Sequence, residues 1–402
     1  MKNIKDTRPV FAGLQDKKLP GIPTPAYVID EERLCYNGKI LQSLIEESGC
    51  KILLAQKAFS NYDFYPLLSN YISGTEASGL YEAKLGYEEM PGKEVHVFCG
   101  AYRDEEMDEI MQYADHIVFN SIYQLKKFGP LAKAHHKSLG LRINPQYSTQ
   151  QGHDIYDPCA PKSRLGVTYD VWQEEMDAPT FSLLDGLHFH TLCEQNSDDL
   201  KKTLIAFDQS FGKYMKDLKW INMGGGHHIT RHDYDIQTLK DCIAFAQKTW
   251  NVEVYLEPGE AIAYNAGYLV TSVLDLVNNG NDRIAILDSS AACHMPDVIE
   301  MPYTPMVWQA STAQDENHPY LYRLAGPTCL SGDIIGDYYF SDPLKRNDIL
   351  IFGDMAIYTT CKNNTFNGMP LPSIYSWKID GSMQCVAQFD YSDFKNRLGK
   401  RK

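Results

Sequence analysis

Five sets of residues, in chain order, could together serve covalent chemistry at an amine: Lys57, the glycines Gly224, Gly225 and Gly226, Glu257, Cys329 and Tyr358. In Lys51-Ile-Leu-Leu-Ala-Gln-Lys57 the apolar run Ile52–Ala55 reads as a buried strand, with Lys57 just past its end. Strand C-termini in a parallel α/β barrel face the active site, so an amine there is placed to form a Schiff base with an aldehyde. Taken alone, an ordinary solvated lysine is the simpler reading.

The later segments supply what such an aldehyde cofactor needs. Met223-Gly-Gly-Gly-His-His228 follows the strand Trp220–Asn222, and glycines there let backbone N–H groups approach a phosphate. Glu257-Pro-Gly-Glu260 ends the next strand, where a carboxylate can bond a protonated ring nitrogen and keep the ring an electron sink. Alternation in His188-Phe-His190 puts both imidazoles on one side. No third ligand at a recognisable spacing follows them, so stacking on a flat cofactor ring is expected rather than metal binding. Cys329 lies in the glycine-rich Gly326-Pro-Thr-Cys-Leu-Ser-Gly-Asp333, as a proton donor, a nucleophile or an inert buried thiol. The Tyr358 hydroxyl is suited to a phosphate or to filling an interface. The glycine and Glu-Pro-Gly segments are each also ordinary turns.

The elements that must position these groups alternate. Strand-like runs at 51–55, 95–99, 116–120, 139–144, 186–190, 220–223 and 253–257 are separated by helical periods such as 31–47, 105–113, 198–215 and 239–249. Gly74-Thr-Glu-Ala-Ser-Gly79 reads as a strand-to-helix turn. About eight repeats fit a (β/α)8 TIM-like barrel, with an open doubly wound sheet as competitor. From Ala266 the texture becomes β-prone, at 269–277, 283–287, 320–324, 348–352 and 375–379. The expected organisation is an N-terminal segment at 1–30 that contributes to the β domain, the barrel at 31–266, and an all-β C-terminal domain at 267–402.

Composition narrows the function. The 402 residues are 44% hydrophobic and 22% charged, as in an ordinary globular protein that can bury a large core. The net charge of −14 argues against nucleic acid and anionic membranes and is compatible with a cationic substrate. No long apolar run spans a membrane, Met1-Lys-Asn-Ile-Lys-Asp6 lacks a signal peptide's apolar segment, and ten scattered cysteines suggest reduced thiols. A cytoplasmic protein is expected.

The order of lysine, glycine turn, Glu-Pro-Gly, cysteine loop and late tyrosine resembles the fold-type III pyridoxal-phosphate decarboxylases. This is the alanine-racemase-like group that includes ornithine and diaminopimelate decarboxylases. Further matching stretches are Thr24-Pro-Ala-Tyr-Val28, Leu54-Ala-Gln-Lys-Ala-Phe-Ser60, Tyr156-Asp-Pro-Cys-Ala-Pro-Lys-Ser-Arg-Leu-Gly166, Leu187-His-Phe-His-Thr-Leu-Cys-Glu194 and His294-Met-Pro-Asp-Val-Ile-Glu-Met-Pro-Tyr303. The resemblance implies pyridoxal 5'-phosphate on Lys57, His190 stacked on its ring, Gly224, Gly225, Gly226 and Tyr358 at its phosphate, and Glu257 at its ring nitrogen. It implies a homodimer with shared active sites, in which Cys329 reaches in from the other subunit as proton donor, and it sets Asp297 where relatives keep a carboxylate for the substrate's distal amine.

Two departures stand out. Relatives have arginine where Glu260 stands, so Glu260 is expected to meet a substrate ammonium, which suits a small carboxylated polyamine. Leu330 replaces the acid that follows the cysteine in relatives, so Asp333 is expected to assist. Other decarboxylases or racemases of the group, a non-catalytic regulator and a metal hydrolase built on His188 and His190 are the competing readings. Retention of Lys57 and Cys329 speaks against the regulator.

Overall fold

The structure is a computed structural model and describes residues 10–11, 13–14, 19, 21–150 and 157–400; Met1–Asp6 and Tyr156 lie outside them. The chain divides into two compact units, one holding Cys35–Ile262 and the other the segment ending at Leu34 together with Ala263 onward. Strand β1 (Ala26–Asp30) belongs to the second unit.

The first unit is a closed parallel barrel of β2 (Lys51–Ala55), β3 (Gly74–Ala77), β4 (Glu94–Phe98), β5 (His116–Phe119), β6 (Ser138–Arg142), β7 (Gly186–His188), β8 (Trp220–Asn222) and β9 (Glu253–Leu256). It closes where Lys51 and Ile52 pair with Tyr255 and Leu256. The competing open sheet is thereby excluded.

The helix Ile236–Trp250 shows how local sequence builds the outer ring. Asp235 accepts from the Gln237 and Thr238 amides and caps its start. Leu239, Cys242, Ile243, Ala246 and Trp250 recur at helical spacing and are buried, while Asn251 at φ 56° ends it in the left-handed region. Inside the barrel, Leu53, Val118, Trp220 and Tyr255 pack as a buried cluster. Glycine at two neighbouring positions makes room for the indole: a Cβ on Gly186 would lie 2.0 Å, and on Gly140 2.4 Å, from Trp220 ring atoms.

Strand β3 corrects the reading of Gly74–Ala77 as a turn. Of the four, Thr75 alone is a β-favouring type, while Gly74, Glu76 and Ala77 are not, yet all four are buried. Parallel pairing with β4 brings the Glu94 carbonyl within 2.0 Å of where a Cβ on Gly74 would stand, so the glycine marks close strand approach.

The second unit is a mixed sheet. Its other strands are β10 (Gly267–Asn279), β11 (Asp282–Leu287), β12 (Ala310–Ser311), β13 (Tyr320–Ala325), β14 (Ile334–Phe340), β15 (Ile349–Gly353), β16 (Ser373–Trp377) and β17 (Met383–Ala387). They run in the order β12-β14-β13-β11-β10-β1-β16-β17, with β15 also on β10. Short helices at Ala291–His294, Asp297–Glu300 and Tyr391–Asn396 accompany it. Strand β14 escapes a composition-based reading because Gly336 and Asp337 interrupt it. Its register is set by a cross-strand pair, in which Arg323 on β13 donates to Asp337 at 2.7 and 2.8 Å. Among the described residues no helix is long and apolar enough to cross a membrane.

Gly186→Ala should lower the unfolding free energy by about 1–3 kcal/mol, because the added methyl overpacks the Trp220 ring. Urea denaturation followed by tryptophan fluorescence checks this; unchanged stability would mean that the barrel interior is loosely filled.

Candidate active site

The first unit gathers Lys57, Glu76, His188, His190, Gly224–Gly226 and Glu257 at the carboxyl ends of its strands. Lys57 follows β2 and is exposed, while its neighbours Gln56, Ala58 and Phe59 are buried. The Gln56 amide donates to the Glu76 carbonyl and the Ala58 amide to the Ala55 carbonyl, which fixes the turn carrying the lysine. Lys57, Arg142, Asp157, Lys162, Arg164 and His190 line a cavity of about 600 Å³. A smaller space of about 210 Å³ adds Glu76, Phe98, His188 and Glu257 to Lys57 and His190.

Glu257 is 5% exposed and held on two sides. His188 Nε2 lies 3.1 Å from one carboxylate oxygen, and Asn222 Nδ2 donates to the other at 2.5 Å. Burial works to raise the Glu257 carboxyl, but His188, through the charge it takes up in acid and its hydrogen bond, outweighs it with Asn222 and holds it down at about 2. Burial pushes His188 below its ordinary value, against the pull of Glu257, so the pair at neutral pH is a carboxylate accepting from a neutral imidazole. Asn222 also accepts from the Gly224 amide at 2.9 Å, which ties the carboxylate to the glycine turn.

That turn is close-set. Gly224 and Gly226 have φ of 69° and 79°, and a Cβ on them would lie 2.4 Å from the Phe189 carbonyl and 2.1 Å from the Leu192 carbonyl. The Gly225 amide donates to His190 Nδ1 at 3.0 Å, so this nitrogen is unprotonated and the ring proton sits on Nε2. Burial, then the charges of Lys57 and Arg142, put His190 well below the usual imidazole range, which keeps it neutral. His188 and His190 therefore line one space, as their alternation predicts. Neither belongs to a metal-like cluster among the described residues; those that occur are Glu94, His96 and His116, and Glu194, His228 and Glu260.

Three residues at the site had no motif to announce them. Glu76 is 4% exposed; burial first, then the Glu257 charge, raise its carboxyl well above the ordinary value, against Lys57 and Arg142. The Arg142 guanidinium lies over the Phe98 ring at 4.6 Å and donates to the His190 carbonyl at 3.4 Å. Asn222 is the third. Position at a strand's end was the available signal for all of them.

Glu260 is not an open carboxylate. Its Oε2 lies 2.6 Å from His228 Nε2, and its side chain is 14% exposed.

The remaining expected residues lie in the second unit. Cys329 is exposed, and its amide donates to Asn367 Oδ1 at 2.7 Å. Asp333 is 2% exposed and accepts from Ser290 Oγ at 2.9 Å and Thr328 Oγ1 at 2.7 Å, so it closes the loop that bears Cys329. Asp297 and Glu300 share an ion pair with Lys362. Tyr358 holds φ of 54°, a left-handed conformation rare for an aromatic residue and common at functional positions.

A closed barrel with a lysine, a glycine turn and a buried ionised carboxylate at its strand ends defines a class, and the comparisons agree. The chain belongs to the pyridoxal-dependent decarboxylase family, whose model (Pyridoxal-dependent decarboxylase, C-terminal sheet domain) matches residues 26–356. It is 41% identical to the carboxynorspermidine/carboxyspermidine decarboxylase of Campylobacter jejuni over 94% of this chain and 98% of that one. It is 39% identical to the carboxyaminopropylagmatine decarboxylase of Synechocystis sp. over 96% and 98% of the two chains. The crystal structure of Campylobacter jejuni carboxynorspermidine decarboxylase complexed with norspermidine superposes with a TM-score of 0.85 at 40% identity, covering 94% of this chain and all (100%) of that one.

Glu257 has its folded pKa depressed, so its contribution to stability is full above about 4.5 and fades as pH falls toward 2. The Glu257→Gln variant should therefore show a shallower loss of unfolding free energy between those limits than the native chain. Equal slopes in paired acid titrations would show that the carboxylate is not held ionised.

Proposed function

We propose that this chain is a pyridoxal-phosphate-dependent decarboxylase that converts carboxynorspermidine or carboxyspermidine to norspermidine or spermidine with release of carbon dioxide. The observation that carries the reading is the buried, ionised Glu257 beside Lys57, His190 and the glycine turn, in a chain 41% identical to an enzyme of that name. The residues fit the cofactor. Glu257 offers a negative charge at a space lined by Lys57 and His190. The Gly226 and His227 amides have no acceptor among the described residues, which suits a phosphate. A Cβ on Gly225 would come 3.1 Å from His190 Cε1, so a side chain there would crowd the imidazole.

When bound, pyridoxal phosphate supplies an electron sink for the pair released as carbon dioxide leaves. Lys57 is the residue that would hold it. Glu257 would keep a proton on the ring nitrogen, and His188 with Asn222 would keep Glu257 ionised and aimed. His190, neutral and anchored by Gly225, offers a flat face without a competing charge. Glu76, its carboxyl raised well above the ordinary value by burial and by the Glu257 charge, leaves Glu257 as the stronger acid of that space. Gly224, Gly225, Gly226 and Tyr358 would take the phosphate. Cys329 of the partner subunit would return a proton to the substrate's Cα, with Asp333 holding its loop in place. The proposal thus includes a cytoplasmic homodimer.

The distal amines of the substrate call for carboxylates. Glu260, Asp297 and Asp333 each have a partner already, so substrate binding at any of them means sharing or displacing His228, Lys362 or the Ser290 and Thr328 hydroxyls. A second reading, carboxyaminopropylagmatine as substrate, is favoured by the 39% identity to the Synechocystis enzyme, and it differs at the distal end.

Carbon dioxide release should be fast from the two carboxylated triamines and slow from diaminopimelate and ornithine; the reverse order would refute the substrate, and preference for carboxyaminopropylagmatine would select the second reading. Lys57→Ala should lose the near-visible absorbance of the loaded enzyme and at least ~10⁴-fold in turnover, consistent with losing a covalent catalyst. An intact spectrum would remove Lys57 from the account. Mixing Lys57→Ala with Cys329→Ala protein should restore up to about a quarter of native activity, since random pairing rebuilds one complete site in half the dimers. No recovery from stable mixed dimers would place both residues in the same subunit's site.

A further inference from the structure

The segments that follow three consecutive barrel strands bring a second set of side chains together. Glu194 follows β7, His228 follows β8 and Glu260 follows β9. One ligand atom from each lies within 4.8 Å of the others. Glu260 Oε2 stands 2.6 Å from His228 Nε2. His228 is 5% exposed and Glu194 is exposed, so the cluster has a buried floor and an open rim. Arg231, the nearby cation, is committed elsewhere: Nε donates to Asp233 at 2.5 Å and Nη1 to the Glu194 carbonyl at 3.2 Å.

We propose that Glu194, His228 and Glu260 form the receptor for a remote ammonium of the substrate, and that His228 gives up a proton to solvent as that ammonium binds. The proposal rests on the polyamine reading above and adds to it Glu194, His228 and the proton linkage. Two carboxylates and an imidazolium sum to one negative charge, which already attracts a cation. Loss of the imidazolium proton raises that to two and removes the positive charge within the cluster. Burial opposes charge on His228, but the Glu260 hydrogen bond and the charges of Glu260 and Glu194 raise its pKa above the ordinary value, with Arg231 opposing. The imidazole therefore keeps its proton to a higher pH than an ordinary histidine, and an arriving ammonium pulls that pKa back down. Binding then tightens as pH rises through the His228 transition. A ligand of this charge has a precedent in the norspermidine seated in the 40% identical Campylobacter jejuni enzyme.

Isothermal titration of cofactor-loaded protein with norspermidine, between pH 6 and 7.5 in buffers of different ionisation enthalpy, tests this. The native protein should release a proton on binding, with affinity rising by up to about tenfold per pH unit. His228→Gln should bind without proton release and with a flat pH profile. Glu194→Gln and Glu260→Gln should each lose about tenfold or more in norspermidine affinity, the worth of a charged hydrogen bond, while an alkyl monoamine of equal length binds as before. Unchanged norspermidine affinity in both acid variants would overturn the proposal. So would loss of bound cofactor rather than of norspermidine in Glu260→Gln, or zinc ion captured by the native protein and lost with His228→Gln. Native protein that binds cofactor but no triamine would instead overturn the substrate reading itself.

Discussion

A carboxylate kept charged inside a barrel is the constraint on which the rest depends. Burying an ion is unfavourable unless partners compensate, and Glu257 has two, Asn222 at the end of the adjacent strand β8 and His188 at the end of β7 beyond it. The parallel barrel makes this cheap to arrange. Strands β7, β8 and β9 lie side by side in register, so residues just past their ends meet without long loops. The glycine turn after β8 then closes against the same carboxylate's backbone, since the Glu257 amide donates to the Gly224 carbonyl at 2.8 Å.

The same three strand ends do a second task a few residues further along. Near the strands, in the proposed reading, His188, Asn222 and Glu257 would make an environment for a cationic ring. Farther out, Glu194, His228 and Glu260 make one for a cationic chain. Both use an imidazole between acids or amides, but burial and charge set the imidazoles differently. His188 is pushed down and stays neutral, whereas His228, with two carboxylates near it, is raised. On the proposed reading, one architecture would thus separate the electron sink from the recognition of substrate charge.

Much of this was legible in the sequence because its parts are short and ordered. Lys57 after an apolar run, three adjacent glycines and Glu-Pro-Gly each leave a local mark. Alternating patterns gave the barrel, and the closure appeared only through pairing of β2 with β9. Strand β3 and with it Glu76 were hidden, because Gly-Thr-Glu-Ala has turn-like composition and is a strand only through tertiary burial on both faces. Arg142 and Asn222 were hidden for another reason: a single polar residue at a strand's end has no signature until its neighbours in space are known. Glu260 was visible as an unusual acid, but its partner was not, since a contact across 32 residues at the mouth of a barrel has no sequence period.

The central claim is that Glu257 remains ionised and holds a proton on the nitrogen of the bound pyridine ring. Nuclear magnetic resonance of protein loaded with cofactor labelled with ¹⁵N at that nitrogen reads this directly. A protonated pyridinium signal that persists from pH 6 to 8, and is lost in Glu257→Gln, is the predicted result. A neutral pyridine signal in the native protein across that range would contradict the account.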